Sequence, residues 1–177
     1  PRMKNSKLLF LVLLIAAQHL FFLLYFAPIL EPDSGGYAAL GRALAAGLGY
    51  DSTQRLPGYP AFLAAFYYLF GGSDLPAVIF QHLLGFAVYL AGLRLLAESR
   101  QKIIFSVLFF CDLLYASYQH AILAEALFSF LLFMSAVEFR NYGRTARPAH
   151  LLACGALVTA GIFVQPVLKL FPLVALG

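Results

Sequence analysis

The sequence predicts an all-α integral membrane protein, on three observations. Of its 177 residues 62% are hydrophobic and 11% charged, where a soluble domain carries about 25% charged residues. Apolar stretches of membrane-crossing length recur along the chain. Lys and Arg collect in short clusters between those stretches, as membrane topology signals do. The net charge of +4 and the pI near 9.2 therefore describe membrane orientation and give no basis for a nucleic-acid partner. The 18 Phe and 10 Tyr suit lipid-facing packing and interfacial belts.

The first span is read at 8–30, an apolar run broken only by Gln18 and His19. At 1.5 Å per residue it covers about 34 Å, enough for a hydrocarbon core of about 30 Å. The run is too long for a signal-peptide core, and no small-residue cleavage site follows it. Further spans are expected at 75–97 (with Gln81, His82 and Arg94), 103–118 (with Asp112), 121–137 (with Glu125 near its start) and 151–177 (with Gln165, Pro166 and Lys169). Cys111 and Cys154 lie inside apolar runs without metal-ligand spacing and read as packing residues. His19 and His82, each beside a Gln, read as interhelical hydrogen-bond partners before metal ligands.

Residues 31–74 are different. Gly35 to Gly47 reads as a short amphipathic helix, with Tyr37, Leu40, Leu44 and Leu48 on one face and Asp33 or Ser34 as N-cap. Pro57 starts a second short helix through Phe70, stopped by Gly71-Gly72. A helix of that length suits an interfacial or re-entrant placement better than a crossing. Topology supports this. If 57–70 does not cross, then Arg2, Lys4, Lys7, Arg94, Arg100, Lys102, Arg140, Arg144 and Arg147 share one side, and the other holds only Arg42 and Arg55. The positive-inside rule then puts the N-terminus in the cytoplasm and the 31–74 loop outside, in a plasma (inner) membrane. Residues 1–177 read as one transmembrane module, the N-terminal part of a longer protein.

Three places could carry chemistry. Asp33 follows the first span beside Gly35 and Gly36, where a carboxylate could serve as general base or metal ligand; it could equally be a solvated N-cap. Arg55, in Gln54-Arg55-Leu56-Pro57-Gly58-Tyr59-Pro60, is suited to phosphate, and Tyr59 to stacking on a sugar; a snorkelling Arg and an interfacial Tyr are the plain alternative. Glu125 sits at the outer end of a span, where an ionisable residue marks a functional site by default; an interfacial residue facing water near His120 is the plain alternative. Asp112, mid-span, reads as structural or as part of an internal polar network. Lys169 could meet an anionic headgroup or snorkel. The chain has neither a phosphate-cradling glycine loop nor a Ser-His-Asp or zinc-ligand constellation.

The order of these motifs carries a resemblance. An aspartate after the first span is followed by Tyr37, a short helix, Leu56-Pro57-Gly58-Tyr59-Pro60, an apolar helix ending in Phe70-Gly71-Gly72, and later Ala121-Ile122-Leu123-Ala124-Glu125-Ala126-Leu127-Phe128. This resembles the GT-C membrane glycosyltransferases, in particular the branch of protein O-mannosyltransferases and the lipid A aminoarabinose transferase, over essentially the whole chain. The resemblance implies an inverting transfer of sugar from a polyprenyl-phosphate donor to a lipid, glycan or protein acceptor at the extracytoplasmic face. It implies Asp33 as base, Glu125 as a second active-site carboxylate, and a divalent cation, if one is used, on those two. It implies a donor site of Arg55, Tyr59, Tyr37, Gln54, His120 and Lys169. Two departures stand out: Gln165-Pro166 replaces a common Arg-Pro, and Asp112 replaces a usual proline. A lipid-linked-sugar transporter or flippase component and a non-enzymatic membrane scaffold remain as rival classes.

Overall fold

The computed structural model describes residues 2–165, with side chains from residue 6 onward. These residues form an all-helical membrane protein of α1 (Arg2–Tyr25), α2 (Ser34–Ala45), α3 (Gly58–Leu69), α4 (Leu75–Leu95), α5 (Ser99–Cys111), α6 (Leu113–His120), α7 (Glu125–Thr145) and α8 (Pro148–Val164). No strand is present among them. One isolated parallel bridge joins Ile29 to Ala121.

Two helices are long and apolar enough to cross a membrane: Ser6–Tyr25, with a mean hydropathy of 2.4, and Leu75–Leu95, at 1.6. A third is added if α5 and α6 count as one broken span. The expected straight span at 103–118 is thus redrawn, because the chain bends by 58° between α5 and α6. Asp112 makes the bend: it leaves helical geometry, and its Oδ1 accepts from the Tyr115 backbone N–H at 3.0 Å to cap α6. The expected span at 121–137 is redrawn as well. Residues 121–124 are irregular and buried, and α7 runs on from Glu125 to take in Glu138, Arg140 and Arg144. The last run is described as far as Gln165; Pro166 and Lys169 lie outside the described residues.

The two short helices fall where the spacing puts them, but they meet through a different face. α2 lies on α3 through Ala38 and Gly41, facing Leu63 and Tyr67. Leu48 lies beyond the helix and is exposed. α3 stops at Gly71 and Gly72, both at positive φ (65° and 82°), a conformation that glycine adopts without steric cost. Of the two cysteines, Cys154 is buried and Cys111 is exposed, so only the first fits a packing role.

The helix connections segregate the charges. Arg140 donates to the Leu95 carbonyl, and Lys7 shares a cleft with Ile103 and Val107 of α5. The basic ends of α4, α5, α7 and α8 therefore gather with the start of α1. The opposite end holds the best-packed core: Ala38, Tyr59, Leu63, Tyr67, Ala77, Val78, Ile122, Ala124, Leu131 and Val164. Four of these residues, Ala38, Tyr59, Leu63 and Tyr67, belong to the 31–74 loop, which thus packs on the bundle through its own buried side chains.

Close backbone approach allows this packing. A Cβ on Gly85 of α4 would lie 2.2 Å from the Gln119 side chain of α6. Overpacking a tight core typically costs about 1–3 kcal/mol. We expect Gly85→Leu to lower the thermal midpoint of the detergent-solubilised protein clearly, and Gly85→Ala to fall between; a midpoint unchanged in both would contradict this contact.

Candidate functional site

Two backbone hydrogen bonds bring the ends of α1 and α6 together. The Ile29 N–H donates to the His120 carbonyl at 3.0 Å, and the Ile122 N–H donates to the Ile29 carbonyl at 3.2 Å. Asp33 lies four residues beyond Ile29 and Glu125 four beyond Ala121. The bridge thus fixes both carboxylates at one place. Both line a cavity of about 420 Å³, together with Glu31, Ser117, Tyr118 and Leu123.

Asp33 occupies the N-cap position of α2, yet its side chain makes no capping bond. The turn is closed instead by Ser34, whose Oγ accepts from the Glu31 N–H at 2.9 Å. Asp33 Oδ1 accepts from Arg55 Nη2 at 2.9 Å. The Arg55 guanidinium lies over the Tyr37 ring, 4.3 Å from its centroid, and close against the Gly36 backbone, where an added Cβ would lie 2.7 Å from it. Its own backbone is held by Ser52 Oγ and by the Tyr50 hydroxyl. Arg55 is therefore positioned from every side by short-range contacts. Its charged form is favoured first by the hydrogen bond that it donates to Asp33. Burial pushes the Tyr37 phenol above its ordinary pKa, so it stays a neutral hydroxyl.

Glu125 opens α7, with a half-buried side chain. Its Oε2 is buried and has no hydrogen-bond partner among the described residues. The segment that carries it, Ala121 to Ala124, is almost completely buried (2%, 0%, 7% and 0% exposed), so this carboxylate stands on a rigid base. Its charge is felt at Tyr37 and Tyr59.

The other expected donor contacts are placed differently. Tyr59 is fully buried, and its hydroxyl donates to Gln81 Oε1 at 2.7 Å; it pins α3 to α4 and presents no face to a ligand. Gln54 is exposed in the loop before Arg55, away from the carboxylate cavity's lining. His120 is fully buried, and its Nε2 lies 3.2 and 3.1 Å from the Phe26 and Ala27 carbonyls. It secures the end of α1 and does not line the cavity. Lys169 lies outside the described residues. Among the described residues no group of three His, Cys, Asp or Glu side chains is placed to hold a metal ion, and Asp33 is paired with a guanidinium.

Two arrangements were not visible in the sequence reading. The first is a second Arg–Asp–Tyr cluster. Arg42 pairs with Asp74 at 3.0 Å and lies over Tyr67, whose hydroxyl also donates to Asp74 at 2.6 Å. The second extends the expected pairing of the polar intrahelical residues into a chain. His19 Nδ1 is 2.8 Å from His82 Nδ1, and His82 Nε2 is 3.0 Å from His120 Nδ1. Carbonyls only accept, so His120 must donate through Nε2, and its Nδ1 must accept from His82. His82 Nδ1 then accepts from His19. Three imidazoles thus tie α1, α4 and α6 together. The signal available in the sequence was the pair Gln18-His19 and Gln81-His82, one polar dipeptide on each of two apolar helices.

No protein family, curated protein or solved structure matches the chain. The functional reading therefore rests on the site's own chemistry and on the motif resemblance.

Proposed function

We propose that the chain is the catalytic membrane module of an inverting GT-C type glycosyltransferase, taking sugar from a polyprenyl phosphate at the extracytoplasmic face. One observation supports this above the others: a cavity lined by three carboxylates, Glu31, Asp33 and Glu125, of which Asp33 is paired with a positioned arginine. Transfer with inversion needs a group to take the acceptor's proton, and another to meet the negative charge that develops on the departing phosphate. An arginine fork suits phosphate. α2 and α3 lie at the interface in this reading, and hold the donor head where its lipid tail can remain in the bilayer. α1, α4, the broken α5–α6 pair, α7 and α8 make five crossings, with the basic end in the cytoplasm. The acceptor oxygen attacks the anomeric carbon in line with the breaking bond to phosphate. Donor specificity among sugars belongs to residues lining the cavity, of which Ser117 and Tyr118 offer neutral hydroxyls.

The test is transfer in proteoliposomes from a panel of polyprenyl-phosphate hexoses (mannose, glucose, galactose) to an envelope extract. Wild type is expected to transfer from at least one, and Asp33→Asn/Glu125→Gln to be reduced about a hundredfold or more, the scale of general-base contributions. No transfer by wild type from any donor overturns the proposal. Donor binding without transfer would instead indicate a lipid-linked-sugar carrier.

A further inference from the structure

Of the three carboxylates that line the cavity, Asp33 and Glu125 have unlike surroundings, which divide the work between them. We propose that Glu125 is the group that takes the acceptor's proton, and that Asp33 is a positioning residue that acts through Arg55. The inference rests on the transferase reading and assigns roles within it.

Asp33 already has a partner. One of its oxygens accepts from Arg55 at 2.9 Å, and a proton arriving there would break the ion pair that orients the guanidinium. Its side chain is also 68% exposed, so water reaches it freely. A carboxylate so placed fixes a neighbour's geometry well and is a poor site for receiving a proton during bond formation.

Glu125 differs on each count. No cation is paired with it among the described residues, its Oε2 is shielded from solvent, and that oxygen lacks a donor. An oxygen desolvated in this way gains most when an O–H group is brought to it. Its backbone follows directly on the buried segment 121–124, which the Ile29–Ala121 bridge anchors, and this keeps the acceptor position constant through the reaction. Asp33 and Arg55 stand on the more exposed loop, where Nη2 stays on Asp33 while the other N–H groups of the guanidinium remain to meet phosphate as the donor enters.

The step balances without a further reactant. The acceptor's O–H bond breaks and its proton passes to the Glu125 carboxylate where it lines the cavity. The acceptor oxygen forms the new bond to the anomeric carbon. The bond from that carbon to the phosphate oxygen breaks, and its electron pair leaves on the polyprenyl phosphate, opposite Arg55. The protonated Glu125 then gives its proton to water through the open cavity.

The proteoliposome assay separates the roles if kcat and the donor KM are measured for Glu125→Gln, Glu125→Asp, Asp33→Asn, Arg55→Ala and the Asp33→Asn/Arg55→Ala pair. Glu125→Gln is expected to lose kcat by about a hundredfold or more with little change in donor KM, and Glu125→Asp to recover part of it. Asp33→Asn is expected to act mainly on donor KM, and to add little once Arg55 is gone, because residues acting through one contact are not additive. Binding of polyprenyl monophosphate by Glu125→Gln at wild-type level shows that the variant is folded. A Glu125→Gln enzyme within threefold of wild-type kcat, or an Asp33→Asn enzyme that loses kcat a hundredfold in the Arg55→Ala background as well, overturns the assignment. Absence of transfer by wild type would overturn the transferase reading itself and is seen before any variant is compared.

Discussion

Arg55→Ala is expected to reduce kcat/KM for a polyprenyl-phosphate sugar by about two to three orders of magnitude, the usual effect of removing one preorganised donor aimed at developing charge. The expectation rests on how much structure holds this side chain. Its guanidinium is bonded to Asp33, lies on Tyr37 and presses against the backbone at Gly36, and its side chain is 22% exposed. Arg42, the other described cation of the loop, is committed to Asp74 and lies over Tyr67. Replacement of Arg55 by Lys is expected to restore only part of the activity, because an ammonium offers a point charge without the planar fork or the stacking on Tyr37. Gly36→Val makes a second approach to the same claim: its Cβ would displace the guanidinium without removing any charge. It is expected to raise donor KM. Stability should hardly register the loss of Arg55, since exposed ion pairs contribute about 0–1 kcal/mol. Steady-state kinetics beside a thermal melt therefore separate chemistry from folding. Activity within threefold of wild type at both low and saturating donor would remove Arg55 from the site.

How far the sequence disclosed this arrangement depends on the range of the interaction. α2 and α3 were legible because helix starts and glycine stops act over a few residues. Asp33 and Glu125 were legible as candidates because a carboxylate set against the hydrocarbon is costly and asks for a reason. Their shared cavity was not, since it depends on the Ile29–Ala121 bridge, a pairing of two irregular segments that no periodicity announces. Tyr59 misled for a related reason. A tyrosine in a loop motif can face a sugar or a core, and what decides is Gln81, 22 positions away, waiting for a hydroxyl. The bend at Asp112 was hidden because apolar composition continues across it: hydropathy registers lipid compatibility and is insensitive to a local break that a single capping carboxylate supports. α2 showed the same blindness. Its leucines were the visible pattern, while the close packing on α3 runs through Ala38 and Gly41, small residues that a hydrophobic periodicity gives little weight.

Gln81→Leu is expected to be the most destabilising single substitution in the described core of this end of the bundle. Gln81 is fully buried, and each end of its amide is used. Oε1 accepts from the Tyr59 hydroxyl, while Nε2 donates to the Gln119 carbonyl at 3.0 Å and the Ala121 carbonyl at 2.7 Å. One side chain therefore joins α3, α4 and the irregular segment that leads to Glu125. Leucine matches the volume but leaves three buried polar groups without partners. At about 1–3 kcal/mol for each orphaned group, the sum is on the order of 3–9 kcal/mol, a large share of any domain's stability. Water cannot easily replace the lost partners beneath a packed surface beside lipid. Tyr59→Phe removes only one of the three bonds, and it is expected to cost about 1 kcal/mol. The comparison of the two variants by thermal melting in detergent is the check. Because Ala121 is also the residue bridged to Ile29, any Gln81→Leu protein that stays folded at low temperature is expected to lose transfer activity more steeply than Tyr59→Phe does, through displacement of Glu125. Equal melting points for the two variants would mean that the bonds to the Gln119 and Ala121 carbonyls contribute little, and that the segment is held by packing of Ile122 and Ala124 alone.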